Sequence, residues 1–137
     1  MTTSEKVYEG RLVEITADRY VEHYGWDRDE AEAMIREENT EQRVFVVEDG
    51  GERELENVRT MQSPSGFSWG YSGSGPTALA YSILHDFFGS DATPAAALVF
   101  RTELLATLDQ NAPFRITGEQ IRAWDEAVRV KREKARS

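Results

Sequence analysis

The chain contains no cysteine, which excludes disulfides and thiolate metal sites. Histidine is nearly as scarce. His23 and His85 are the only two, no HxH or HExxH spacing exists, and one histidine beside one carboxylate (His85-Asp86) makes an incomplete metal shell. No metal and no cofactor is therefore expected. No apolar run approaches the roughly 18 residues of a membrane-spanning helix, and the opening Met-Thr-Thr-Ser-Glu-Lys is polar, without the apolar core of a signal peptide. A cytoplasmic protein with no membrane partner is the simplest expectation.

Positive charge is also in short supply. Sixteen Lys and Arg face twenty-five Asp and Glu, a formal net charge of −9. The imbalance is concentrated: residues 27–56 hold twelve acidic side chains against Arg28, Arg36, Arg43 and Arg53, and that window alone is −8. The stretch Arg129–Arg136 runs the other way, with five basic residues against Glu133. A field of this sign disfavours general nucleic-acid binding by the body of the protein and suits either a solvated surface or the docking of a basic protein partner.

What is present suits one domain over residues 1–137, long enough for a real core. Residues 6–16 read as a strand, bent at Gly10. Residues 17–39 read as helical, broken at Gly25, restarted by Asp27 with Glu30 in an acidic capping box, and ended by Asn39. Strand patterns flank this piece, so it reads as a helical insertion. Val44–Glu48 is a strand by its β-branched content. Asp49-Gly50-Gly51 is a hairpin turn, and residues 53–58 return with Leu55 pointing inward. Ser63–Gly66 is a loop. Three helices are predicted next. The first runs from Pro76 to Phe88 and stops at Gly89. The second is capped by Thr93, opened by Pro94 and lined by Phe100, Leu104, Leu105 and Leu108. The third is capped by Thr117 with Gln120, with Ile121, Trp124 and Val128 as its stripe. Past Arg129 the apolar stripe ends, and residues 130–137 are expected to fray as a basic tail. Strands first and helices last point to an α+β fold, a small N-terminal antiparallel sheet packed against C-terminal helices.

The densest chemistry lies in Phe67-Ser-Trp-Gly-Tyr-Ser-Gly-Ser-Gly-Pro76. Phe67, Trp69 and Tyr71 alternate as in a short strand. Gly73 and Gly75 permit positive φ or close backbone approach, and Pro76 suits the first position of a helix. A loop feeding a helix start can present backbone N–H groups to an anion, so Trp69, Gly70, Tyr71, Ser72, Gly73, Ser74, Gly75 and Thr77 form the candidate ligand site. Trp69 or Tyr71 would stack on a base, and Arg115 is a candidate to reach the loop. The rival reading is a plain structural corner. Catalytic motifs nearly fit and each has a defect. Gly70-x-x-x-x-Gly75-Pro76-Thr77 has P-loop glycine spacing but proline in place of lysine. Gly73-x-Gly75-x-x-Ala78 lacks a surrounding βαβ unit. Gly70-Tyr71-Ser72-Gly73-Ser74 lacks the closing glycine of a nucleophile elbow. No catalytic residue is assigned.

The run from Phe67 to Pro76, followed by Leu79-Ala80 and Ile83-Leu84, resembles DUF6166, a small family of unknown function. The family pattern is an aromatic-x-Trp-Gly-Tyr-Gly-Gly-Ser-Gly-Pro run, and Ser72 stands where glycine is commoner. Thr117, Ile121 and Trp124 resemble its closing Thr-x-x-x-Ile-x-x-Trp helix, and Tyr8-Glu9-Gly10-Arg11 resembles an early Tyr-x-Gly-Arg element. The resemblance implies a bacterial or phage accessory protein and supplies no activity. The expectation is a non-enzymatic interaction protein, with inhibition of a host or defence factor as one form. The alternative is a small nucleotide- or anion-binding protein using the Gly/Ser loop.

Overall fold

The computed structural model describes residues 5–14, 16–34, 40–58 and 67–136. Strand β1 (Val7–Glu14) pairs antiparallel on one side with β2 (Thr40–Glu48) and on the other with β4 (Phe114–Thr117), while β3 (Gly51–Glu54) flanks β2, giving the order β3-β2-β1-β4. Helices α1 (Ala17–Tyr24) and α2 (Arg28–Met34) lie in the β1–β2 connection; α3 (Ser74–Phe88) and α4 (Pro94–Glu103) precede β4, and α5 (Gly118–Arg136) follows it. The fold is α+β, with an antiparallel sheet packed against helices. The sheet is not wholly N-terminal, because β4 arrives from beyond residue 113. Its Phe-Arg-Ile-Thr run alternates buried and outward side chains, as a half-buried strand requires.

Local chemistry explains most boundaries. Asp49 (φ 54°) and Gly50 (φ 78°) both take left-handed backbone between Glu48 and Gly51, the two-residue turn whose twist matches a right-handed hairpin. Thr16 caps α1 by accepting from Arg19 N–H, and Gly25 (φ 71°) closes it by donating to the Tyr20 and Val21 carbonyls. Thr93 accepts from Ala96 N–H with Pro94 just behind it. Thr117 and Gln120 cap α5 reciprocally, at 3.1 Å and 2.8 Å. Leu55 is buried, and its N–H reaches the Val44 carbonyl just past the end of β3. Helix α4 ends at Glu103, so of its expected apolar line Leu105 falls in a following 3₁₀ turn, where it is buried. Helix α5 continues past Arg129 to Arg136, so the stretch expected to fray is helical through Arg136. The expectations for residues 35–39, for Ser63–Gly66 and for the side chain of His23 lie outside the described residues.

The core sits on one face of the sheet. Tyr8, Val44, Val46, Phe114 and Ile116 meet Leu79, Ala80, Ile83 and Leu84 of α3, with Phe100 of α4 and Ile121 of α5 completing the cluster. Gly10 lies opposite Phe114 in the β1–β4 register, and a Cβ on Gly10 would collide with the Phe114 ring. The bare backbone there is filled by an aromatic from the neighbouring strand. The opposite face carries Phe45 beneath Arg11 and Arg43, whose guanidinium carbons stand 4.3 Å and 5.3 Å from its ring centre. Arg11 forks onto Glu52 (2.7 Å and 3.1 Å) and Arg43 onto Glu54 (2.9 Å and 2.8 Å).

One polar junction ties α3 to the sheet. The fully buried Tyr8 donates its hydroxyl to Asp86 Oδ2 at 2.7 Å, Arg53 Nη2 reaches Asp86 Oδ1 at 2.7 Å, and Lys6 Nζ stands 3.2 Å from Oδ2. Burial pushes the Asp86 carboxyl up, but hydrogen bonds from Tyr8, Arg53 and Lys6 outweigh it and hold the group below the usual aspartate range. Burial and the neighbouring Asp86 charge push the Tyr8 hydroxyl well up, so it stays a donor. A carboxylate whose folded pKa is depressed contributes stability above its unfolded pKa and loses it as pH falls through the folded value. Urea unfolding between about pH 5 and about pH 2 should therefore show a loss of stability that is smaller in Asp86→Asn, which has no proton to take up. Equal acid sensitivity in both proteins would remove Asp86 from the account.

Candidate functional site

The conspicuous aromatic-glycine segment does not form a strand. Residues 67–73 are irregular, and the three aromatics do not share a face: Phe67 is half-buried, Trp69 fully buried and Tyr71 exposed. Trp69 is the anchor. Its Nε1–H donates to the carbonyls of Asp109 (3.2 Å) and Ala112 (3.0 Å), and its ring meets Phe114 edge-on at 4.8 Å. The next residue grips the same segment, with Gly70 N–H donating to the Leu105 carbonyl at 2.9 Å. Gly70 has φ +89°, and a Cβ on it would sit 2.6 Å from Gln110 N and 2.7 Å from its Cα. Trp69 and Gly70 together clamp the α4–β4 connection. With no exposure, Trp69 is not available to stack on a base, whereas Tyr71, the other residue named for that role, is exposed.

The remaining loop residues are engaged more lightly. Ser68 Oγ and Tyr71 OH share a hydrogen bond of 2.7 Å, and both lie over Gly75, where a Cβ would overlap Ser68 Oγ. Gly75 is helical, with no positive φ, and faces a side chain where sequence had suggested strain or a backbone. Pro76 is the third residue of α3, two positions later than the first-residue place expected of it, because the helix starts at Ser74. Gly73 is the N-cap, in extended backbone and with no side chain to cap. Its carbonyl accepts from Thr77 N–H (3.0 Å) and Thr77 Oγ1–H (2.6 Å). Thr77 Oγ1 in turn accepts from Arg101 Nη1 at 2.9 Å. The Arg101 Nε is buried and has no hydrogen-bond partner among the described residues. Ser72 and Ser74 are exposed.

Arg101 is the residue that sequence reasoning missed. It reaches the start of α3 from α4, twenty-four positions away, and no local pattern signals it. Arg115, the arginine singled out beforehand, is exposed on β4 and lies opposite Glu9 in the β1–β4 register. The His85-Asp86 step is split by the helix. His85 is exposed near the Tyr81 ring, and Asp86 turns to Tyr8, Arg53 and Lys6. Among the described residues no group of three or more His, Cys, Asp or Glu side chains could hold a metal ion.

The model of a family of unknown function, DUF6166, matches residues 34–128. The chain belongs to DUF6166. No curated protein and no solved structure matches it. The DUF6166 match takes in β2, β3, the Trp69-Gly70 clamp, α3, α4, β4 and α5 as far as Val128. The motif residues within it have packing duties. Thr117 caps α5, Ile121 is buried, and Trp124 meets Phe100 edge-on at 4.8 Å while its Nε1–H donates to Glu103. The Tyr8–Arg11 element, α1, nearly all of α2 and the basic turns after Val128 lie outside the DUF6166 match.

These contacts rank the loop glycines. Gly70→Ala meets both a left-handed backbone and a rigid peptide, and should cost about 2 kcal/mol or more. Gly75→Ala displaces the movable Ser68 hydroxyl and crowds the Ser68 Cβ and the Tyr71 hydroxyl, and should cost about 1 kcal/mol. Ser72→Ala and Ser74→Ala, at exposed positions, should stay within about 0.5 kcal/mol. Denaturant unfolding checks the order, and a Gly75→Ala variant less stable than Gly70→Ala would contradict it.

Proposed function

We propose that this chain is a non-enzymatic protein-interaction or accessory protein of a bacterium or its phage, cytoplasmic, with inhibition of a host or defence factor as one form of its action. The observation that carries the reading is the placement of its acidic groups. In the α1–α2 pair Asp18, Glu22, Asp27, Asp29, Glu30 and Glu32 are all exposed, and residues 17–34 carry −4. The Gly/Ser segment, by contrast, uses most of its polar groups on its own fold. A surface of this sign steers basic protein surfaces toward it and repels nucleic acid. In support of the location, no helix among the described residues is long and apolar enough to cross a membrane.

A second reading, anion or nucleotide binding at the start of α3, is favoured by Arg101, a guanidinium brought to a helix N-terminus beside exposed Ser72 and Ser74. Two measurements separate the readings. Affinity capture from the source cell extract at low salt should retain a basic protein on the wild type and lose it on D29K/E32K. Retention of nothing, or retention indifferent to that charge reversal, would overturn the interaction reading. A thermal-shift panel of nucleotides, phosphate and carboxylates should leave the melting temperature unchanged. A ligand at a hundredfold its Kd stabilises by about 2.7 kcal/mol, so a shift that Arg101→Gln abolishes would install the second reading instead.

A further inference from the structure

The end of α5 is an exposed helical face. From Arg129 to Arg136 every residue is exposed, including Val130 at 42%. These eight residues carry Arg129, Lys131, Arg132, Lys134 and Arg136 against Glu133, a charge of +4, so the other 129 residues carry −13. Arg129 meets Asp125 on its own helix at 3.1 Å, and Lys131 stands 3.7 Å from Glu103. Arg132 and Arg136 have no ion-pair partner among the described residues. Eight helical residues span about 12 Å, more than one screening length of about 8 Å at physiological ionic strength. A basic segment of that length complements a separate acidic surface.

We propose that the basic end of α5 docks on the acidic α1–α2 pair of a second copy of this chain. The charges match, +4 on residues 129–136 against −4 on residues 17–34. Both surfaces are exposed helix, and both lie almost wholly outside the stretch 34–128 that matches the family. The contact is small and charged, so it is salt-sensitive and weak. The net charge of −9 opposes it at long range. It is therefore strongest where screening mutes whole-chain repulsion but spares contacts at the surface, near 0.1 M salt, where the screening length is about 10 Å. This deepens the interaction reading by naming one partner and rests on that reading. A test on the purified chain alone separates the two, because an extract partner can exist without self-association.

Sedimentation velocity of the full chain at about 0.1 M and about 0.5 M salt is the test. At the lower salt and high protein concentration, the weight-average mass should rise above the 15.5 kDa of the monomer toward twice that value, and it should return to the monomer at the higher salt. R132E/R136E should be monomeric at both, and so should D29K/E32K, with helicity by circular dichroism unchanged because all four positions are exposed. A wild-type monomer at the lower salt overturns the proposal. So does association indifferent to R132E/R136E or to D29K/E32K. Retention of a DNA duplex by a monomeric wild type, lost in R132E/R136E, would assign the basic turns to nucleic acid and overturn it equally.

Discussion

A buried indole N–H must find an acceptor, and the architecture follows from where Trp69 finds its two. Leaving such a donor unpaired costs about 1–3 kcal/mol, and Trp69 is fully buried. Its partners, the carbonyls of Asp109 and Ala112, belong to the connection that delivers β4. Gly70 grips the same connection at Leu105 and Gln110. With that connection held, Phe114 reaches both the Trp69 ring edge and the bare backbone of Gly10. One side chain therefore couples the start of α3, the end of α4 and the last strand, and a segment that looks like a ligand loop acts as the hub of the core.

Charge is handled differently on the two sides of the sheet. On the outer face, Arg11 and Arg43 lie over Phe45 and fork onto Glu52 and Glu54. Such pairs, well exposed on the glutamate side, contribute little each to stability, but they neutralise the face. On the inner side the single carboxylate of Asp86 collects a phenol, a guanidinium and an ammonium group. Unbalanced charge is left to the helices outside the core: acid on α1 and α2, base at the end of α5. The sheet is electrostatically quiet and the helical periphery is not.

Much of the fold was legible because local chemistry decides it. The Asp49-Gly50 turn, the Thr93 cap with Pro94, the Thr117–Gln120 box and the Gly89 stop each depend on a few adjacent residues. What was illegible depends on distant ones. The alternation of Phe114 and Ile116 was present in the chain, but four residues inside a helical region make a strand only because β1 offers an edge. The period of two at Phe67, Trp69 and Tyr71 reads as a strand, yet among the described residues no strand pairs with it, and Trp69 takes its partners from a turn forty residues on. At the candidate site the residues were found and their roles were not. Glycine was expected to be strained at Gly73 or Gly75, whereas the left-handed position is Gly70, where Gln110 makes the approach close. Arg101 was invisible, because only the packing of α4 against α3 brings it to Thr77.

The β1–β4 pairing also bears on how the protein is made. Val7 pairs with Thr117, 110 positions later. Until the final quarter of the chain has emerged during synthesis, β1 presents a free edge, and Gly10 has no aromatic above it. Closing so long a loop is entropically slow, and an open strand edge invites pairing with other chains. Arg11 and Glu9, which flank Gly10 on that strand, are charged side chains of the kind that discourages such pairing.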